Sequence, residues 1–281
     1  MLKRSKYYEK KLNELFDKET LKKFKEFEEK PLPKYIRVNT LKTSIEELQE
    51  LMKKRVEFER IKSFPEILRI KKSSINIGSS IEYLNGYYYL QDLTSLIAVK
   101  QLNPKESEII LDCCAAPGGK TTFMAQEMKN KGVIIAMDIN KQKVRSLRSN
   151  IERMGVKNTI IIRGDVLKSK EYFPIKFDKI LIDAPCTGIG VVRKDKKRAE
   201  TLTEKEVKYF SEKQKKIIDA VTPLIKKKGV LVYSTCSILP EENEEQVKHI
   251  LSKGFKLKEK KLFLNYELNT NCFFTAGMIK K

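Results

Sequence analysis

Histidine occurs once in the 281 residues, and no two of the five cysteines form a CxxC pair. A zinc site takes about four nitrogen or sulfur ligands at workable spacing. The chain supplies no such set, so no metal is expected. Cys113, Cys114, Cys186, Cys236 and Cys272 are odd in number and fall in strand-like or motif-like segments, which argues against a secreted disulfide scaffold. No apolar run approaches the ~18–20 residues needed to cross a bilayer, and the basic start MLKRSKYYEKK leads into no apolar signal stretch. The expectation is a cytoplasmic protein with no membrane partner.

Acidic residues are also in the minority: 37 Asp and Glu stand against 58 Lys and Arg, a formal charge of +21. Such a surplus fits an acidic partner such as nucleic acid, and it equally fits the lysine-covered helix faces of thermophilic proteins. With 41% hydrophobic residues the chain is not a disordered one and can bury one large or two modest cores.

Residues 1–30 read as helix, with Leu12, Leu15, Phe16, Leu21, Phe24 and Phe27 as an apolar stripe, and Pro31 and Pro33 end that stretch. YIRVNTL alternates like a strand, and Ser44 with Glu47 makes a capping box for the helix IEELQELMKKR. FERI, ILRI and YYYL add short β-like runs, so 1–90 reads as a small α+β module. From residue 91 to 281 strands and helices alternate: IILDC, VIIAMD, TIIIRGD, KILIDAP and VLVYSTC are separated by helical segments. Crossover connections of this kind imply a doubly wound, mainly parallel α/β sheet with its ligand crevice at the strands' carboxyl ends.

The stretch IILDCCAAPGGKTT carries the first chemical signal. A strand ending in Asp112 and a small-residue loop opening a helix bring a cofactor against backbone amides. A phosphate loop needs Gly where Cys114 stands, and no GxGxxG is present. The acids at the strand ends point elsewhere. Asp138 is placed to accept both hydroxyls of a ribose, Asp165 lies toward an adenine edge, and Asp112 lies beside a positively charged portion. Each also fits a turn or a cap. Three acids suit a cationic cofactor better than a polyphosphate, and S-adenosylmethionine fits.

LIDAPCTG and LVYSTCS each place a cysteine just past a strand, Cys186 and Cys236. Two thiols in small polar loops facing one crevice suit methylation of a pyrimidine at carbon 5. A thiolate adds to carbon 6, carbon 5 becomes nucleophilic and takes a methyl group, and loss of the carbon 5 proton expels the thiol. Asp183 is placed to bond the ring nitrogen and amino edge of cytosine. These residues alone leave open which thiol attacks.

DCCAAPGGKTT, DAPCTG and YSTCS, with YIRVNTLK and YLQDLTS upstream, resemble the Sun/Nop family of RNA cytosine-5 methyltransferases, most closely its short archaeal transfer-RNA type. The resemblance implies Cys236 as nucleophile and Cys186 as the residue assisting proton removal and product release. It implies cofactor contacts from Cys114, Ala115, Ala116, Pro117, Gly118, Gly119, Lys120, Asp138, Lys143, Asp165 and Asp183, with Lys143 standing where the family commonly has Arg. Gln91, Asp92 and Ser95 match a family motif near the cofactor, and Asp92 and Ser95 also make a helix start. Arg37 and Asn39 match the family's first motif and, with Arg193, Lys194 and Lys197, are expected along the RNA path. The glutamates of PEENEEQV suit a helix N-terminus and need no function. Cys272 replaces a family glycine in the last segment. The expected protein is a monomeric transfer-RNA methyltransferase, with ribosomal RNA as the alternative substrate and a catalytically silent RNA-binding chaperone as the alternative class.

Overall fold

Short runs of β-branched and other apolar residues become strands wherever both faces can be covered, and this governs the larger sheet. The structure, a computed structural model, describes residues 2–281. Pro33–Gly164 forms one compact unit; the residues up to Leu32 form the other together with Asp165–Lys281.

The Pro33–Gly164 unit begins with an antiparallel sheet of β1 (Lys34–Val38), β2 (Val56–Ile61), β3 (Phe64–Ser73) and β4 (Tyr88–Leu90) in the order β2-β3-β1-β4. Its apolar face packs Ile36, Val38, Leu68 and Tyr88 on Leu48 and Met52 of the helix Ile45–Met52. That helix opens with the expected capping box, Ser44 to the Glu47 amide and Glu47 back to the Ser44 amide. Three parallel strands follow, β5 (Ile109–Asp112), β6 (Val133–Asp138) and β7 (Thr159–Arg163), with β6 between the other two. Helices Gly119–Glu127 and Lys141–Arg153 make the crossovers. The latter sets Leu147 and Ile151 on Ala115 and Ala136, so the loop after β5 rests on an apolar base.

In the second unit, β8 (Phe177–Asp183) and β9 (Ile225–Thr235) are parallel, and β10 (Phe255–Phe263) and β11 (Phe273–Lys280) add antiparallel strands in the order β10-β11-β9-β8. β5 to β11 are the strands of a mainly parallel seven-stranded sheet, as the alternating pattern predicts. β10 went unread because FKLKEKKLF is nearly half lysine. Lysine suits an edge strand, where it discourages pairing with another chain.

The opening helices pack with residues of the C-terminal half. Asp17 breaks the apolar stripe by capping a new helix through the Thr20 amide, giving helices Lys6–Leu15 and Lys18–Glu29. Their Tyr8, Leu12 and Phe24 share a core with Ile189, Val192, Leu202, Val207 and Ile238 of the C-terminal half. The Ser5 amide donates to Ala199 O and Asn265 Nδ2 to Phe24 O.

Candidate active site

The loop after β5 is built from inside outward. Asp112 is buried, and Thr121 Oγ1 donates to its carboxylate at 2.7 Å. Between them the Ala115 amide donates to Met137 O and the Gly118 amide to Ala115 O, both at 2.8 Å. Gly118 holds φ +105°, and a methyl group there would come 2.9 Å from Leu147 Cδ1, so the turn requires glycine. Helix Gly119–Glu127 then starts with no side chain capping it. A helix start of that kind, carrying partial positive charge, suits the carboxylate of an amino-acid-like ligand. Cys114 and Lys120 are half-buried beside it, and Pro117 is exposed.

Asp138 ends β6. Its Oδ1 accepts from the Asn140 amide at 2.9 Å, an Asx turn that fixes the carboxylate at the carboxyl end of the sheet. Lys143, in the first turn of the next helix, is exposed. Small loop residues, an uncapped helix start and an acid at the next strand end fit an adenosyl amino acid better than a polyphosphate.

Arg37 and Asn39 correct an expectation. Both are buried and their side chains are taken up inside the protein, so neither is an RNA contact. Arg37 donates to Gln91 Oε1, Gly119 O and Thr122 Oγ1, each at 2.8 Å, and packs between the Tyr89 and Phe123 rings. Burial lowers its pKa to about 9, with Tyr89, Glu66 and Glu127 opposing that shift, so it remains a cation at neutral pH. It therefore fixes the first turn of the cofactor helix from behind. Asn39 donates to Gly86 O and Met154 O at 2.8 Å, tying the small sheet to the helix Lys141–Arg153. Gln91 thus serves Arg37. Asp92 stands at the N-cap of Leu93–Leu102, but its side chain does not cap that helix.

In the second unit, β8 and β9 are in parallel register, with Asp183 opposite Ser234, and Ser234 Oγ donates to Asp183 Oδ1 at 2.8 Å. The chains diverge after this pair, and each reaches its cysteine within three residues. The sulfurs of Cys186 and Cys236 lie 3.1 Å apart. That is hydrogen-bond range for two thiols, well beyond the ~2.05 Å of a disulfide, and both cysteines are free. The contact with Cys236 and burial push the Cys186 thiol well above the ordinary range. Thr187, next to Cys186, donates its amide (2.9 Å) and hydroxyl to the buried Glu242 carboxylate, while its carbonyl accepts from Arg198 Nη1. Gln214 Nε2 donates to Pro185 O and to the same Glu242. On the other loop, Asn243 accepts from Thr235 Oγ1 and donates to Ser237 O. Gly190 passes beneath Cys236: its amide donates to Cys236 O, and its carbonyl accepts from the Cys272 amide. Cys272, the departure from the family glycine, is a buried packing residue, and burial raises its thiol pKa.

Asp165 caps a short 3₁₀ turn through the Leu167 amide, which is the cap alternative read from the sequence. Arg193 is half-buried, and its guanidinium donates to Lys30 O, Pro31 O, Thr270 O and Asn269 Oδ1. Lys194 and Lys197 are exposed. Glu242, Asn243 and Gln214 were missed. The two PEENEEQV residues were hidden in an acidic run, where burial of one glutamate leaves no local signal. Among the described residues no group of His, Cys, Asp and Glu could hold a metal ion, and no helix is long and apolar enough to cross a membrane.

The family model described as "16S rRNA methyltransferase RsmB/F" matches residues 99–272, and that for the N-terminal domain of RsmF matches 5–93. A Pyrococcus abyssi protein named tRNA (cytosine(49)-C(5))-methyltransferase is 42% identical, over 83% of this chain and 75% of its own length. The human 28S rRNA (cytosine(4447)-C(5))-methyltransferase is also 42% identical, over 86% of this chain. The chain spans only 30–43% of the length of this and the mouse and fission-yeast relatives. Among solved structures, NSun6 from Pyrococcus horikoshii with SFG superposes with a TM-score of 0.91 at 29% identity, covering 98% of both chains. A methyltransferase homologue from the same organism gives 0.89 at 33% identity, covering 100% of this chain and 96% of that one. Motif, fold and relatives agree, and the chain belongs to the RsmB/F family of methyltransferases, the Sun/Nop group that its cysteine loops resemble.

Proposed function

We propose that this protein is an S-adenosylmethionine-dependent RNA cytosine-5 methyltransferase acting on transfer RNA through a covalent adduct of Cys236. The observation that carries the reading is the thiol pair, two free sulfurs 3.1 Å apart in loops that end neighbouring parallel strands. Cofactor contacts are assigned to Cys114 through Lys120, Asp138, Lys143, Asp165 and Asp183. S-adenosylmethionine, when bound, supplies a methyl group on a sulfonium centre.

Cys236 is assigned as the attacking sulfur on the family resemblance, with the Cys186 sulfur within hydrogen-bond range of it. Cys236 gives up its proton to solvent and its thiolate adds to cytosine carbon 6; the ring electron pair moves to carbon 5, which takes the methyl group. Asp183, steadied by Ser234, takes the amino and ring-nitrogen edge of the base. Bonding to carbon removes Cys236 as a partner for Cys186, and with it the largest cause of the raised Cys186 pKa. Cys186 then releases its own proton to solvent and takes the carbon 5 proton. The ring double bond re-forms, and the bond from carbon 6 to the Cys236 sulfur breaks. The base must lie outside a helical stack for this attack.

Transfer RNA is favoured over ribosomal RNA by the likeness to two Pyrococcus enzymes named for transfer-RNA cytosines, 42% and 45% identical to this chain over the matched residues. The test is incubation with tritiated S-adenosylmethionine and, separately, total transfer RNA and ribosomal RNA, followed by bisulfite sequencing. Label in transfer-RNA cytosine is expected. Label in ribosomal RNA alone would overturn the substrate, and no label in either would leave a silent RNA-binding protein.

A further inference from the structure

Glu242 and Asn243 are adjacent, both fully buried, and placed between Pro240 and the helix Glu244–Ser252. A helix start explains neither side chain. Asn243 occupies the N-cap position, yet its side chain makes no cap; it bonds Thr235 Oγ1 at 2.6 Å and Ser237 O at 3.0 Å, the residues on either side of Cys236. Glu242 turns the other way. Its carboxylate accepts from the Thr187 amide and hydroxyl, at 2.9 and 2.6 Å, from Gln214 Nε2 at 3.1 Å, and also from the Ser237 hydroxyl next to Cys236. Its own carbonyl accepts from Tyr233 Oη at 2.6 Å, which anchors the turn to β9.

Burying a carboxylate among neutral donors is costly unless its bonds are well made, and burial does raise the Glu242 pKa. An apolar residue would pack this turn at lower cost. What an apolar residue lacks is the ability to grip Thr187 at two points while Asn243 grips both flanks of Cys236. Two consecutive side chains thus fasten the two cysteine loops, which are 50 residues apart in sequence.

Building on the roles given above to the two sulfurs, we propose that Glu242 and Asn243 are positioning residues: Glu242 sets the Cys186 loop for product release, and Asn243 sets the Cys236 loop for attack. Neither touches the base. Each acts chiefly through the threonine beside its cysteine, Glu242 through two bonds to Thr187 and Asn243 through Thr235, so damage to one half of the clasp falls mainly on one half of the reaction.

The experiment has two readouts on the full-length protein, with Glu242→Ala and Asn243→Ala. Thr187→Val and Thr235→Val serve as milder variants that delete one hydroxyl each without emptying the turn. The first readout is the rate at which an azo oxidant closes a Cys186–Cys236 disulfide. The two thiols lose two protons and two electrons to the azo compound, which becomes a hydrazine, and the rate reports how well the sulfurs are aligned. A drop of about tenfold is expected in each folded variant; closure within twofold of the unsubstituted protein would overturn the proposal. The second readout is the RNA adduct on denaturing gels. Glu242→Ala and Thr187→Val should accumulate it, as is expected of Cys186→Ala, whereas Asn243→Ala and Thr235→Val should fail to form it, as is expected of Cys236→Ala. Identical behaviour of the two halves would also overturn the proposal. If the two cysteine variants themselves lack opposite phenotypes, the sulfur roles fall, and the disulfide rate alone judges the clasp.

Discussion

The Sγ atoms of Cys186 and Cys236 stand 3.1 Å apart because β8 and β9 run parallel in register and release their chains at the same level, Asp183 beside Ser234. Two roles assigned to two neighbouring sulfurs make a directional expectation. With Cys186→Ala, attack and methylation proceed but release is impaired, so a protein–RNA adduct survives denaturing electrophoresis. With Cys236→Ala, no adduct forms. Exchange of the two patterns would reverse the assignment.

The raised Cys186 pKa depends first on Cys236. In Cys236→Ala, therefore, the alkylation of Cys186 followed by mass spectrometry should move to lower pH, with burial keeping it above a free thiol. An unchanged profile would show that the sulfur contact does not hold the proton.

Stability should fall in alkali. Cys113, Cys186 and Cys272 all have thiols raised in the fold, the first and last by burial. A pKa raised above its unfolded value contributes stability that is fully present below the unfolded thiol pKa, near ~8.5, and is lost as pH rises through the folded one. Each such thiol contributes a slope of at most about 1.4 kcal/mol per pH unit. Denaturant melts between about pH 8.5 and 10.5 should show the unfolding free energy falling, and Cys113→Ala should make the fall shallower by up to that amount. A slope unchanged by that substitution would remove Cys113 from the account.

Arg37 should matter to cofactor binding without touching the cofactor. Lysine preserves the charge but cannot span three acceptors from a planar fork. Arg37→Lys should cost roughly 2–4 kcal/mol, the loss of one or two charge-assisted hydrogen bonds. It should also weaken S-adenosylmethionine binding in calorimetry, because Gly119 O loses its anchor. Unchanged affinity with lowered stability would limit Arg37 to the fold.

The basic surplus predicts a steep salt response. Contact with six to ten phosphates would reduce RNA affinity by roughly 10³- to 10⁵-fold between 50 and 200 mM salt for duplex-like RNA. Lys194→Ala and Lys197→Ala should each lower the slope by about one phosphate's share. A flat response would return the charge to surface decoration.

The sequence was legible where chemistry and backbone coincide. Asp112 to Lys120, Asp138 and the two cysteine loops announce themselves because a turn, a strand end and a reactive group occupy the same few residues. Arg37 was set on the RNA path by its match to a family motif, and only the fold reveals that its guanidinium is buried on Gln91, Gly119 and Thr122. Glu242 was misread because an acidic run before a helix has a sufficient local explanation and its partner Thr187 lies 55 residues away.

The packing of Tyr8, Leu12 and Phe24 against Ile189, Val207 and Ile238 bears on how the chain assembles. The residues up to Leu32 belong to a unit whose remaining residues start at Asp165, while Pro33–Gly164 has its own core. On a ribosome adding about 5–20 residues per second, the intervening unit can condense while the opening helices wait for partners more than 160 positions downstream. Those helices expose an apolar stripe for that interval, and the loop they must close is among the longest in the chain. Assembly of the thiol-bearing half is therefore a late event, because it needs helices made long before it.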